Sequence, residues 1–294
     1  MAISRPKGQA RSRSVADHRV QRVLSRTVVY LLCILGSVLM LFPLVWLVRS
    51  SVMDLGQIFI FPPEWIPRPW RFQNYPEALT TIPFLLYLRN TLTILVPTVL
   101  GTVITAALAA YGFSRLRWPG RDVVFNLLLT TLMLPYAVTL IPTFLLWARL
   151  DLINTFWPLI IPHWFGGGIF SIFLLRQFFR TIPKELDEAA LIDGANPLQI
   201  LWRIVVPLSR PALIAVGIFA ALNSWNDFLG PLIYLNDSRQ FTLALGLAEF
   251  TGLYSSQWHL LMAASTVVIL PVIVLFFFAQ RYFIEGIALT GSKG

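Results

Sequence analysis

Asn90-Thr-Leu-Thr-Ile-Leu-Val-Pro-Thr-Val-Leu-Gly-Thr-Val-Ile-Thr-Ala-Ala-Leu-Ala-Ala-Tyr-Gly-Phe-Ser114 runs for 25 residues without one charged side chain. As a helix it would rise about 37 Å, more than the roughly 30 Å hydrocarbon core of a bilayer. Comparable uncharged stretches span Thr27–Val48, Val123–Ala148, Leu152–Leu175 and Leu260–Gln280, each with about 20 residues or more. A sixth, Pro211–Asn226, has only 16. It gains length by starting near Ile204 with Arg210 snorkelling, or by continuing past Asp227 toward Ile233. The expected fold is therefore all-α and polytopic, with six transmembrane helices.

Composition agrees with that expectation. Of 294 residues, 56% are hydrophobic and 13% charged, where a soluble domain has about 45–50% and about 25%. This excludes an ordinary soluble enzyme, a disordered chain, collagen and a coiled coil. Cys33 is the single cysteine, so neither an intramolecular disulfide nor a cysteine-based zinc site is possible. Thr27–Val48 is too long for a signal-peptide core and no small-residue cleavage site follows it, so it is expected to remain as an anchor. The net charge of +9 is spread along the flanks of apolar runs rather than gathered with aromatics, which argues against nucleic acid and for orientation charge. Seventeen Lys and Arg lie in the tail before Thr27, the 115–121 turn, the 176–210 loop and the C-terminal end. Six lie on the other side. That asymmetry predicts a multi-pass protein of the cell membrane with both termini cytoplasmic. The expected organisation is a basic tail (1–26), a first helix with an outer loop (27–87), a five-helix transmembrane core (88–284) and a C-terminal tail (285–294).

Helix breakers interrupt the spans: Pro97, Pro135, Pro142, Pro158, Pro162, Gly166–Gly168 and Pro271. The carbonyls they free need partners in lipid, which favours a bundle around a cavity. Proline and glycine are also common in membrane helices generally. Gly166–Gly168 has no basic neighbour to hold phosphate, so close helix packing is the expected role.

Residues 181–207, between the fourth and fifth spans, carry the most specific pattern. Glu185, Asp187 and Glu188 suit the positive end of a helix that Pro183 could open. Gly194 suits a left-handed stop, and Asn196-Pro197 a cap followed by a first-turn proline. Ala189, Ala190, Gly194 and Ala195 offer a small-residue surface, while Leu198, Ile200, Leu201, Trp202 and Ile204 make the second helix too apolar for a solvated loop. On the residues alone this element is either an elbow or a docking site.

Glu188-Ala189-Ala190, Gly194, Ile204 and Pro207, at their spacing, resemble the "EAA" loop of inner-membrane permease subunits of binding-protein-dependent ABC importers. Val206 stands where Leu is usual. The resemblance implies a coupling helix that docks in a cleft of an ATPase subunit, with Glu185, Glu188, Ala189, Ala190, Asp193, Gly194, Ala195, Ile204 and Pro207 as the coupling set. It also implies a second permease subunit, two ATPase subunits, an extracytoplasmic solute-binding protein and membrane lipid as partners. No cofactor is expected on this chain, ATP and Mg belonging to the partners; no Walker-type phosphate loop occurs in it. Asn74-Tyr75, Leu88–Leu92, Trp225–Phe228 and the segment from Gln280 to Gly294 resemble the carbohydrate branch, the second permease of maltose-type systems. A sugar is thus the expected substrate, with an amino acid, phosphate ester or peptide as alternatives.

Candidate pathway residues are Asn223, Ser224, Trp225, Asn226 and Asp227. Three- and four-residue spacing puts Asn223, Asn226 and Asp227 on one helical face, and Trp225 and Phe228 have flat faces of the kind sugars stack on. The alternative is a helix end with Asp227 capping the turn before Gly230-Pro231. An ion-coupled transporter would keep ionisable groups within its spans; only Asp227 comes close. A membrane enzyme finds no constellation, since His18, His163 and His259 are isolated.

Overall fold

The computed structural model describes the backbone of residues 9–252 and 256–291, and the side chains of 24–252 and 256–280. The basic side chains before Leu24, His18 and the resemblance segment after Gln280 lie outside the described side chains. Regular structure among the described residues is helical, apart from an isolated bridge between Thr251 and Ser256. The protein is an all-α polytopic membrane protein.

α1 (Gln9–Ser50) is the first span. A short α2 (Leu55–Ile58) and α3 (Asn74–Thr81) frame the loop that leads to α4 (Phe84–Ser114), the second span. α4 is central: it packs against both helices of the fourth span region and against the fifth span. Its small residues Ala106, Ala107 and Ala110 lie in the largest core cluster, where they let neighbouring backbones approach.

The third span departs from a straight crossing. α5 (Arg121–Thr130) and α6 (Tyr136–Arg149) meet at 99°. Pro135 explains the break, because it offers no N–H and holds the preceding Leu134 in the extended region, at φ −77° and ψ 118°. The fourth span comprises α7 (Trp157–Ile160), a 3₁₀ turn through Trp164, the glycine triplet and α8 (Ile169–Phe179).

α9 (Glu185–Ile192), α10 (Pro197–Ile200) and α11 (Val206–Leu208) form the intervening loop, with a π turn over Leu201–Val205. Pro207 would clash with the carbonyl of Arg203 in a regular helix, and the widened turn accommodates it. The chain then bends by 82° into α12 (Arg210–Trp225), 16 residues long and one residue earlier at each end than the apolar run Pro211–Asn226. α13 (Leu229–Tyr234) and α14 (Leu243–Gly246) lie in the connection before the last span, α15 (Trp258–Gly291). Among the described residues four helices are long and apolar enough to cross a membrane, and counting each bent pair as one span gives six.

Candidate functional site

Local rules build the 181–207 loop. α9 starts after Lys184 rather than at Pro183, with Glu185, Asp187 and Glu188 in its first turn. Its end is closed by two bonds: Gly194 N–H to the Leu191 carbonyl (3.1 Å) and Ala195 N–H to the Ala190 carbonyl (2.9 Å). This pairing requires a left-handed residue, and Gly194 supplies φ +82°. No atom stands within 4 Å of where a Cβ on Gly194 would lie, so conformation rather than crowding inside the chain demands glycine. Asn196 then caps α10: its Oδ1 accepts from Gln199 N–H (2.9 Å) and Gln199 Oε1 accepts from Asn196 N–H (2.8 Å).

Burial sorts the loop into two faces. Glu185, Glu188, Ala189, Asp193 and Gly194 are exposed, whereas Ala190, Ile200, Leu201 and Val205 are buried. The buried set joins Tyr111 of α4, Phe179 of α8 and Val216 of α12 in one core, with Ala195 and Ile204 packed on its margin and Pro207 half-buried. The small-residue surface therefore divides, since Ala190 faces inward and Ala189 and Gly194 outward. Exposed Leu186, Leu191, Ile192, Leu198 and Trp202 add apolar area around Glu188, the composition of an interaction surface rather than a solvated turn.

Two arginines tie this region together. Arg115, the C-cap of α4, has a side chain only 4% exposed; its Nη1 meets Asp187 Oδ2 at 3.1 Å. Its Nη2 donates to the carbonyls of Phe179 (2.6 Å) and Ile182 (2.8 Å) at the end of α8. Burial pushes the Asp187 carboxyl above the ordinary carboxylate range, with Arg115 pulling in the opposite direction. Arg176 donates to the Phe113 carbonyl (3.1 Å) and Asp122 (3.0 Å), and lies 4.0 Å over the Phe125 ring. Both arginines count only as orientation charge in the sequence. No local spacing reveals Arg115, because Asp187 lies 72 positions further along.

The C-terminal end of the fifth span carries the second candidate set. α12 stops at Trp225, so the helical face shared by Asn223 and Asn226 ends before Asp227. Trp225 is buried and its indole N–H reaches the Val268 carbonyl at 3.3 Å. Its face is therefore packed against the last span and not offered to a solute. Asn223 and Asn226 are exposed and Ser224 half-buried. Asp227 Oδ1 accepts from Gly230 N–H at 3.0 Å, capping the turn into α13. The same carboxylate lines a cavity of about 420 Å³ together with Tyr136, Thr143, His163 and Tyr234. Capping and lining are thus compatible in one side chain.

The floor of this region depends on Gly167. A Cβ there would collide with the Thr102 carbonyl and Ala106, so the broken fourth span lies directly on α4. His163 pairs through Nδ1 with Thr102 Oγ1 at 3.2 Å. Other residues of the resemblance serve as staples. Asn74 Nδ2 donates to the carbonyls of Ser51 (3.0 Å) and Met53 (2.8 Å), and Tyr75 OH pairs with Ser51 Oγ (2.7 Å). Asn90 Nδ2 reaches the Arg239 (2.9 Å) and Phe241 (3.0 Å) carbonyls, and Thr91 Oγ1 accepts from Leu243 N–H (2.9 Å). These groups tie Asn74 and Tyr75 to the chain after span one, and span two to the connection before the last span.

A helical bundle with broken spans, a cavity between them and a two-faced helix–turn–helix between spans four and five is the architecture of a transport subunit of the membrane. The chain belongs to the family of binding-protein-dependent transport system inner membrane components, whose profile matches residues 98–288. It is a permease of the ABC-importer type, not an enzyme. It is 34% identical over 272 residues to the probable ABC transporter permease YurM of Bacillus subtilis, covering 92% of this chain and 90% of that protein. It is 33% identical to the arabinooligosaccharides transport system permease AraQ of the same organism, covering 94% and 99%. Among solved structures, a chain of a bacterial ABC transporter that imports the acidic polysaccharide alginate superposes with a TM-score of 0.77 at 26% identity, covering 90% of this chain and 98% of that one.

Proposed function

We propose that this permease forms half of the pathway of an ATP-driven sugar importer and couples to separate ATPase subunits through residues 181–207. The observation that carries the proposal is the two-faced loop: Glu188, Ala189 and Gly194 lie outside, and Ala190, Ile200, Leu201 and Val205 are rooted among three spans. A protein that pressed on the outer face would move the bundle behind it. A second permease completes the pathway, a solute-binding protein delivers the sugar outside, and ATP and Mg are held by the ATPase pair. Both termini and the loop lie in the cytoplasm, as the charge asymmetry requires. The residues lining the cavity beside Asp227 include hydroxyls, an imidazole and a carboxylate but no Lys or Arg. Such a wall suits an uncharged sugar better than a phosphate ester or a uronate, whose anionic groups call for cationic partners.

Gly194→Asp tests the coupling. The substitution forces a side chain into a positive-φ position and adds charge beside the outer face, at a cost of about 1–3 kcal/mol locally. The variant is expected in the membrane at normal amount but without ATPase subunits on co-purification, and without uptake. Retention of both ATPase association and uptake at the wild-type level would reduce the loop to an elbow.

A further inference from the structure

The turn between spans two and three borders a cleft of about 420 Å³ that neither the coupling loop nor the cavity beside Asp227 explains. Three of the groups lining it are cations: Arg117 and Arg121 from the turn, and Lys184, the residue before α9, from the other side. Asp122 is the one acid among the lining residues, and its charge is already taken. Arg121 donates to both of its oxygens at 3.2 Å, and Arg176 to Oδ1 at 3.0 Å. Arg117 and Lys184 are exposed and enter no ion pair among the described residues. Like charges gathered around one opening repel unless an anion sits between them.

The walls of the cleft say which anion fits. Trp118 forms one of them. Its indole N–H donates to the Gly112 carbonyl at 3.2 Å and its ring packs 5.6 Å from that of Phe113. These contacts hold the indole at the end of span two, the depth at which membrane proteins carry their interfacial tryptophans. On the opposite wall α5 begins. Its Phe125 is buried under the Arg176 guanidinium, while Val123 and Leu127, four residues apart on one face, are 64% and 61% exposed. Val123 also lines the cleft. An apolar strip thus leaves directly from a cationic opening, along a helix that enters the third span. A free phosphate or an acidic peptide would use the cations and leave the strip bare. A phospholipid uses both.

We infer that this cleft binds an anionic phospholipid, its phosphate between Arg117 and Lys184 and an acyl chain along Val123 and Leu127. The guanidinium supplies paired N–H donors to phosphate oxygens and the ammonium a point charge, and a basic pocket beside membrane spans is suited to such headgroups. The bound lipid would join the turn after span two to the residue that precedes α9. The site depends neither on the sugar nor on the coupling reading.

The test uses the whole importer, purified in detergent and stripped of lipid, with bound lipid counted by native mass spectrometry. It is titrated with phosphatidylglycerol and with phosphatidylcholine, and glycerol 1-phosphate serves as a soluble competitor that carries the headgroup chemistry alone. Phosphatidylglycerol is expected to bind about tenfold more tightly than phosphatidylcholine, and the double substitution Arg117→Gln with Lys184→Gln to remove that advantage. Arg203→Gln, an exposed charge lost elsewhere on the 181–207 loop, should leave the affinity within about twofold. Leu127→Gln should weaken phosphatidylglycerol about threefold through the lost chain contact. The two cations and Leu127 are exposed, so the yield and lipid-free thermal midpoint should match the wild type and certify the fold. Equal affinity for the two lipids overturns the proposal. Displacement of the lipid by glycerol 1-phosphate at equal concentration also overturns it, in favour of a soluble anion. An affinity untouched by the double substitution does the same, whether an acidic segment of a partner fills the cleft or the lipid binds elsewhere.

Discussion

Single residues in this chain do work that spacing makes visible only when the partner is near in sequence. Gly194 and Asn196 were legible because their roles are settled by their own φ and by the next three residues. Gly167 was legible in kind, as a packing glycine, although its neighbours Thr102 and Ala106 are some sixty positions away. Arg115 was not, and Trp225 looked like a stacking platform until its burial against the last span was seen. Gly167 supports a direct prediction. Its φ of +61° and the collision awaiting a Cβ both penalise any side chain, together about 2–4 kcal/mol. Gly167→Ala should lower the thermal midpoint of the detergent-solubilised protein by several degrees. Gly36→Ala, where no atom lies within 4 Å of the new Cβ, should leave it unchanged or slightly raised. Equal midpoints in the two variants would mean that the fourth span does not rest on α4 as described.

At the scale of elements, the six apolar runs correspond among the described residues to four helices able to cross a membrane, or six when each bent pair is one span, and they did not foretell that shape. An uncharged window reports how much apolar chain is present and says nothing of its direction, so Val123–Ala148 read as one span. The proline positions held the missing information. Pro135 removes a donor and constrains Leu134, and the outcome is the 99° bend between α5 and α6. The same logic applies to the fifth span, where Pro207 and Pro211 lie four residues apart and the helix turns by 82° between them. Caps, by contrast, act over three residues and can be tested singly. Asn196→Ala removes one side of the reciprocal pair with Gln199 and should cost about 1 kcal/mol of local stability. Hydrogen exchange of the backbone amides in 198–201 should then quicken about fivefold, with the exchange of α12 unaffected. An unchanged rate would show that tertiary packing of Ile200 and Leu201, not the cap, holds this helix.

For the whole molecule, orientation links the sequence to the proposed mechanism, because a loop on the outer side could not reach an ATPase. The charge asymmetry predicts that the 115–121 turn and the 181–207 loop are cytoplasmic and that the segment around Gln73 is outside. The structure makes both ends accessible to a probe: Arg117 and Gln73 are exposed, at opposite ends of α4 from one another. They therefore report on the two faces of the membrane through a single connecting span. Cys33 is the single cysteine of the chain, so it is first replaced by Ser to leave a cysteine-free background. In that background, Gln73→Cys should be labelled in intact spheroplasts by a membrane-impermeant maleimide, and Arg117→Cys only after the membrane is opened. Uptake measured alongside confirms that each variant remains assembled. Labelling of position 117 from outside, with position 73 protected, would invert the molecule and remove the 181–207 loop from any cytoplasmic partner.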